Sequence, residues 1–261
     1  MPEPVLYTVD GSVASITLNR PESRNSLNVA AKAALLAAVR RAADDEQVRA
    51  VIVTGQGRAF CAGQDLREHA ETLAAGGNPL DTVRAHYNPL IAAIAMMPKP
   101  VIAAVNGVAA GAGASLALAC DLRVAGRGAS LLMAFAKVGL GPDSGASWTL
   151  QRLAGPARAA ELLMLAEPIS AEQAAGFGLF NRVVDDDRLA AEARELAERV
   201  ASGPTAAYAA IKEALAFAAT HTLGESLEKE ADLQTWLGKT ADHRNSTEAF
   251  VNKQQPVYEG H

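Results

Sequence analysis

Short runs of aliphatic and β-branched residues recur along the first half of the chain, at Val5–Val9, Ala14–Leu18, Ala50–Thr54, Val101–Val105 and Leu122–Ala125. Each is bounded by Gly, Pro, Asn or Asp, the signature of a short buried strand. Helical spacing alternates with them: over Asn28–Ala43, residues Ala31, Leu35, Ala38, Val39 and Ala42 form one stripe, with Lys32, Arg40 and Arg41 off it. Strands alternating with helices predict an α/β core. After Ser170 the strand signal almost vanishes. Ser170-Ala-Glu-Gln173 reads as a capping box, and amphipathic helices follow at Leu189–Ala201, Thr205–Thr220, Leu223–Leu237 and Ser246–Lys253, with a Gly203-Pro204 break.

Val101–Cys120 runs without a charge over the length of a membrane span. Asn106, Gly107, Gly111, Gly113 and Ser115 interrupt it, and β-branched residues crowd its start. A strand, a Gly-rich turn and a buried helix fit that order better than a span. The start of the sequence has no basic segment followed by an apolar run, so no signal peptide is expected.

Composition narrows the class. With 261 residues, 49% of them hydrophobic, the chain can bury one large core. A formal net charge of -5 leaves no basic footprint for nucleic acid and no polybasic membrane patch. Cys61 and Cys120 lie far apart with no CxxC spacing, which argues against a disulfide framework or a metal site and for the reducing cytoplasm.

Candidate chemistry lies in three glycine-rich stretches: Phe60-Cys-Ala-Gly-Gln-Asp-Leu66, Asn106-Gly-Val-Ala-Ala-Gly-Ala-Gly-Ala-Ser115 and Gly139-Leu-Gly-Pro-Asp-Ser-Gly145. None is a dinucleotide fingerprint or a phosphate-binding P-loop. Gly113-Ala-Ser115 approaches a nucleophile elbow but lacks its final glycine, and no histidine stands in a telling context. Glycine turns can present backbone N–H groups without obstruction. Two such groups aimed at one point form an oxyanion hole, worth roughly 3–4 kcal/mol per donor to a developing enolate.

In this order the stretches resemble the crotonase (enoyl-CoA hydratase/isomerase) superfamily. The likeness begins at Leu18-Asn-Arg-Pro-Glu-Ser-Arg-Asn-Ser-Leu27 and Ala50–Gly55, and continues through Phe60–Leu66 and Lys99–Gly111. It ends at Cys120-Asp-Leu-Arg123 and Phe250-Val-Asn-Lys-Gln-Gln-Pro256. The resemblance implies a superhelix of ββα units over residues 1–195, carrying the active site. It also implies a helical region over 196–261 that assembles a homotrimer or homohexamer. The implied substrate is an acyl-CoA thioester, so the coenzyme A arrives with the substrate and no other cofactor or metal is needed. The resemblance further implies oxyanion donors at the backbone N–H of Gln64 and Ala112, the second position being glycine in most of the family. Arg24, Ala62, Asp65 and Leu66 match residues along the coenzyme A path, and Lys253 matches a tail lysine that reaches a coenzyme A phosphate across a subunit boundary.

The acid/base groups select the reaction. Hydratases of the family use two glutamates, and this chain has Ser115 and Phe135 at the matching positions. Dehalogenases add a histidine where this chain has Asn88, with His86 out of register. Asp143 occupies a third carboxylate position, at which the isomerases and the chlorobenzoyl-CoA dehalogenases of the family keep an acid. A single carboxylate can take a proton from one carbon and return it to another. Tyr87-Asn-Pro-Leu90, Gly107–Ala114 and Pro142-Asp-Ser-Gly145 look like the phenylacetate-pathway isomerases of the family, which convert ring-1,2-epoxyphenylacetyl-CoA to oxepin-CoA. The expected activity is therefore isomerisation of an acyl-CoA, either a double-bond shift of fatty acid metabolism or that ring rearrangement. The alternatives are a non-catalytic acyl-CoA-binding homologue, or an enzyme of the hydratase or dehalogenase type. Asp143 has a second reading as the N-cap of a helix over Ser144–Leu153. Phe135 and Trp148 are candidates for the acyl pocket wall, as is much of Arg67–Met97, and Asp121 and Arg123 for structural pairs.

Overall fold

All five expected strands form within one residue of their expected ends, and in the computed structural model, which describes residues 2–261, they assemble one sheet. The strands are β1 (Val5–Asp10), β2 (Val13–Leu18), β3 (Ala50–Gly55), β4 (Ala59–Cys61), β5 (Val101–Val105), β6 (Val108–Ala110), β7 (Leu122–Gly126), β8 (Ser130–Leu132), β9 (Ile169–Ser170) and β10 (Arg182–Val184). The larger sheet has the order β1-β2-β3-β5-β7-β10, and all its pairings after the β1–β2 hairpin are parallel. A parallel sheet is covered on both faces, which is why its strands read as continuous apolar runs. In β5, Val101, Ala103 and Val105 enter one core and Ile102 and Ala104 the other.

The helices are α1 (Val29–Asp44), α2 (Leu66–Ala74), α3 (Asn88–Ala95), α4 (Ala112–Ala119), α5 (Ala146–Leu165), α6 (Ala171–Gly176), α7 (Leu189–Ala201), α8 (Thr205–Ala218), α9 (Leu223–Leu237) and α10 (Ala241–Val251). The stripe of α1 lies in the larger core, with the Asn28 side chain capping its first turn. Lys32 departs from expectation. It is buried at 1% exposure, because its ammonium finds polar partners inside the fold. On the opposite face α7 lays Leu189, Ala193, Leu196, Ala197 and Ala201 against Val13, Ile52, Ile102 and Val124. This helix runs through residues 195 and 196 without a break.

The smaller sheet, β4-β6-β8-β9, was not legible in the hydrophobic pattern, since none of its strands exceeds three residues. β10 likewise lies in the stretch that reads as helical. The uncharged Val101–Cys120 segment is β5, a turn, β6 and α4, and no helix among the described residues is long and apolar enough to cross a membrane. The expected Ser144–Leu153 helix begins later, at Ala146, and runs on to Leu165 through an interruption at Gly155, where φ is 77° ahead of Pro156. The Ser170 capping box forms as expected. Asp121 pairs with Lys212 at 2.7 Å, and Arg123 instead donates to the carbonyls of Leu179 and Cys120.

Candidate active site

The smaller sheet and α4 bring two peptide N–H groups to one cavity. Gly63, at φ 85°, turns the chain out of β4, and Leu27 bridges the loop by donating to the Gly63 carbonyl and accepting from Asp65 N. That pairing uses the amides on either side of Gln64 and leaves its own N–H without a partner among the described residues. The second free group is Ala112 N–H, in the first turn of α4, where helix amides have no internal acceptor. Gly111 carries the turn, at φ 51° and ψ -123°, and its N–H is held by the Leu132 carbonyl. Ala112 itself has no left-handed torsion, so the alanine side chain is accommodated at this position.

Close backbone approach holds the two segments together. A Cβ on Gly63 would stand 2.6 Å from the Ala110 carbonyl oxygen and 3.3 Å from Ala112 N, and one on Gly113 would stand 2.2 Å from the Cys61 carbonyl oxygen. Cys61 is fully buried there, with its thiol pushed up to about 12 by burial, so it behaves as a small hydrophobe.

Gln64, Ala112 and Asp143 line one cavity of about 350 Å³, together with Ala62, Leu66 and Phe135. The segment from His69 to Tyr87 builds much of the remaining wall through Leu73, Pro79, Leu80 and Val83, as expected for Arg67–Met97. Asp143 is the one carboxylate among the lining residues. Its side chain does not cap α5: the N-cap is Gly145, and the recorded hydrogen bond of the Asp143 carboxylate is from Ser144 Oγ at 2.8 Å. Burial raises the pKa of Asp143, while the Ser144 hydroxyl and the charge of Lys32 pull it back. Ser144 holds this position at φ 52°, a costly torsion for a residue other than glycine.

A polar cluster that the hydrophobic pattern hid stands beside this apolar wall. Tyr87 Oη donates to Gln64 Oε1 at 2.7 Å, and Lys32 Nζ donates to the same oxygen at 3.1 Å and to Thr82 Oγ1 at 2.6 Å. Tyr87 comes from a π-helical turn over Val83–Tyr87 that runs directly into α3. Burial lowers the pKa of Lys32, and the nearby carboxylates of Glu68, Asp65 and Asp143 oppose it. Burial also raises that of the Tyr87 phenol. Tyr87 appears in the sequence only as part of a family likeness, and Lys32 as a residue off the helix stripe.

Arg24, Asp65 and Leu66 line a neighbouring groove with Arg20 and Arg67, and Leu66 belongs to both hollows. Asp65 is committed locally. Its carboxylate caps α2 and meets Arg20 at 2.9 Å, so it orders the groove wall. Burial works to raise its pKa, yet hydrogen bonds from Arg20 and the amides of Arg67 and Glu68 hold it below the usual range. Lys253 and Trp148 line neither hollow. Lys253 is exposed after α10, and Trp148 is 46% exposed with the Arg152 guanidinium 4.0 Å from its ring. Asn88 is also exposed and outside the cavity. Ser115 is buried with its hydroxyl on the Gly111 carbonyl and does not line the cavity, which removes the nucleophilic-serine reading.

Residues 8–261 match the family model for enoyl-CoA hydratase/isomerase. The chain is 44% identical to 1,2-epoxyphenylacetyl-CoA isomerase of Escherichia coli, over all of both chains. It is 45% identical to a Rhodobacter capsulatus protein named "Probable enoyl-CoA hydratase", over 98% of each. A crystal structure from Mycobacterium abscessus, described as an enoyl-CoA hydratase/isomerase, superposes with a TM-score of 0.95 at 43% identity, covering 98% of this chain and 100% of that one. A family model matching residues 8–261, 44% identity to a relative over the full length and a shared fold have one reading: the chain belongs to the enoyl-CoA hydratase/isomerase (crotonase) family.

Proposed function

We propose that the protein is an acyl-CoA isomerase in which Asp143 moves one proton between two carbons of the acyl group. The supporting observation is that Asp143 is the one carboxylate lining a cavity whose other walls are mostly apolar. In this reading the thioester oxygen accepts hydrogen bonds from Gln64 N–H and Ala112 N–H, neither of which has a partner among the described residues. For a 3-enoyl-CoA, the Asp143 carboxylate takes a proton from C2, and the electron pair moves to the thioester oxygen as a dienolate. The donors stabilise that charge where it develops. Asp143 then returns the proton to C4, leaving the double bond between C2 and C3 with no net gain or loss of atoms. Burial suits both halves of the cycle, since a raised pKa strengthens the base and readies the acid for return.

Hydration is disfavoured by what stands at the hydratase positions. Phe135 turns a phenyl ring into the cavity wall, and the Ser115 hydroxyl is engaged elsewhere. A second substrate reading, isomerisation of ring-1,2-epoxyphenylacetyl-CoA, is favoured by the full-length identity to the Escherichia coli isomerase. Exposed apolar side chains at Leu215, Leu223, Leu227 and Phe250 support self-association through the C-terminal helices, as a homotrimer or homohexamer. The test is product analysis with 3-enoyl-CoA, 2-enoyl-CoA and the ring epoxide. Isomers without 3-hydroxyacyl-CoA are the expected products. Predominant hydration would overturn the isomerase reading, and binding of all three without turnover would favour a non-catalytic homologue.

A further inference from the structure

We infer that Lys32 and Tyr87 are positioning residues, whose donors clamp the Gln64 side-chain carbonyl and so hold the Gln64 N–H in place. This rests on the reading of Gln64 N–H as an oxyanion donor. Three separate elements converge on one oxygen: Lys32 from α1, Tyr87 from the π-helical turn, and Gln64 from the loop after β4. The clamp meets a specific need. Gly63, just before the donor, sits at φ 85° with no side chain to anchor it, while Asp65, just after, is fixed by its cap and by Arg20. Leu27 anchors this backbone through the Gly63 carbonyl and the Asp65 N–H, and the grip on the Gln64 side-chain carbonyl is its second anchor.

Burying an ammonium is costly without partners, and Lys32 donates two hydrogen bonds, to Gln64 Oε1 and Thr82 Oγ1. Thr82 accepts its second hydrogen bond and in turn lies 3.1 Å from His86 Nδ1, with Glu68 at 3.9 Å from Lys32 Nζ. The Tyr87 ring also lies 5.1 Å from the ammonium. Tyr87 lines the same cavity as Gln64, so the clamp ties the oxyanion segment to another part of the cavity wall. Removing it leaves the peptide with the Leu27 pairing alone, and misplacement of a reacting group by about 1 Å can cost on the order of 100-fold in rate.

The test uses a conjugated dienoyl-CoA, whose ultraviolet band moves to longer wavelength when its carbonyl is polarised, read alongside kcat and KM for a 3-enoyl-CoA. Tyr87→Phe keeps the ring and its packing, so it carries the test on its own should Lys32→Met fail to fold. The expected result for either variant is a kcat reduced ~10-fold or more with KM little changed, and a smaller red shift on bound dienoyl-CoA. In a Gln64→Leu background, Tyr87→Phe should add nothing further, because the shared acceptor is gone. If both single variants keep the full red shift and kcat, or if the Tyr87→Phe effect persists undiminished in Gln64→Leu, the positioning role is overturned. If the wild type binds the dienoyl-CoA with no red shift, the oxyanion reading falls, and this inference with it.

Discussion

Gly113 lies so close to Cys61 that a β-carbon on it would meet the Cys61 carbonyl oxygen at 2.2 Å and the Cys61 Cβ at 2.7 Å. That contact seats the start of α4 against β4, and with it the spacing of the Ala112 and Gln64 amides. The obstacle is backbone, so it cannot move aside as a flexible side chain would. Gly113→Ala should therefore cost about 1–3 kcal/mol or more of stability by overpacking and should lower kcat as the two amides separate. Thermal melts and single-substrate kinetics on the same preparation check both, and a variant with wild-type melting temperature and rate would contradict the packing argument.

Ala112 permits removal of a backbone donor by a single substitution. It occupies the first turn of α4, where proline is tolerated because its missing N–H has no helical partner. The residue before it is Gly111, which suits the restricted position preceding a proline better than other residues do. Ala112→Pro should fold and should lose about 100- to 1000-fold in kcat, the usual effect of deleting one oxyanion donor. Circular dichroism and isomerase kinetics measure the two parts separately.

Much of this site was legible in the order of the glycine-rich segments, because close backbone approach at Gly63 and Gly113 demands glycine and leaves a mark in the sequence. The larger sheet was legible for a similar reason, since β3 and β5 are buried on both faces and read as unbroken apolar runs. The smaller sheet was not: strands of three residues give no periodicity to detect. Lys32 was misjudged because a charge within a helix normally marks its solvent face, and only the folded chain brings Gln64 and Thr82 to its ammonium. Trp148 misled in the opposite sense, an aromatic residue near the acid in sequence that folds onto the outer face of α5 beneath Arg152.

The environment of Asp143 also sets a stability profile. Its pKa is raised in the fold, so between the ordinary carboxylate value and the raised one the native state binds more protons than the unfolded chain. Stability from this group is therefore present at low pH and is lost as pH rises through the folded pKa. Asp143→Asn removes the buried charge and should raise the melting temperature relative to wild type at neutral pH, with the gap closing as pH falls through that window. Melting curves of both proteins across the acidic range provide the check, and a gap that widens on acidification would show the carboxylate to be stabilised in its charged form.

Proton transfer by the Asp143 carboxylate is tested most directly by kcat/KM for 3-enoyl-CoA isomerisation by Asp143→Asn beside wild type, with matched folding and acyl-CoA affinity. A loss of about 100- to 10,000-fold at unchanged affinity is the expected result, the size of a general acid–base contribution. The remaining wild-type profile should show an acidic limb above the ordinary carboxylate range, in keeping with the raised pKa. A folded Asp143→Asn protein that isomerises at the wild-type rate would contradict the claim.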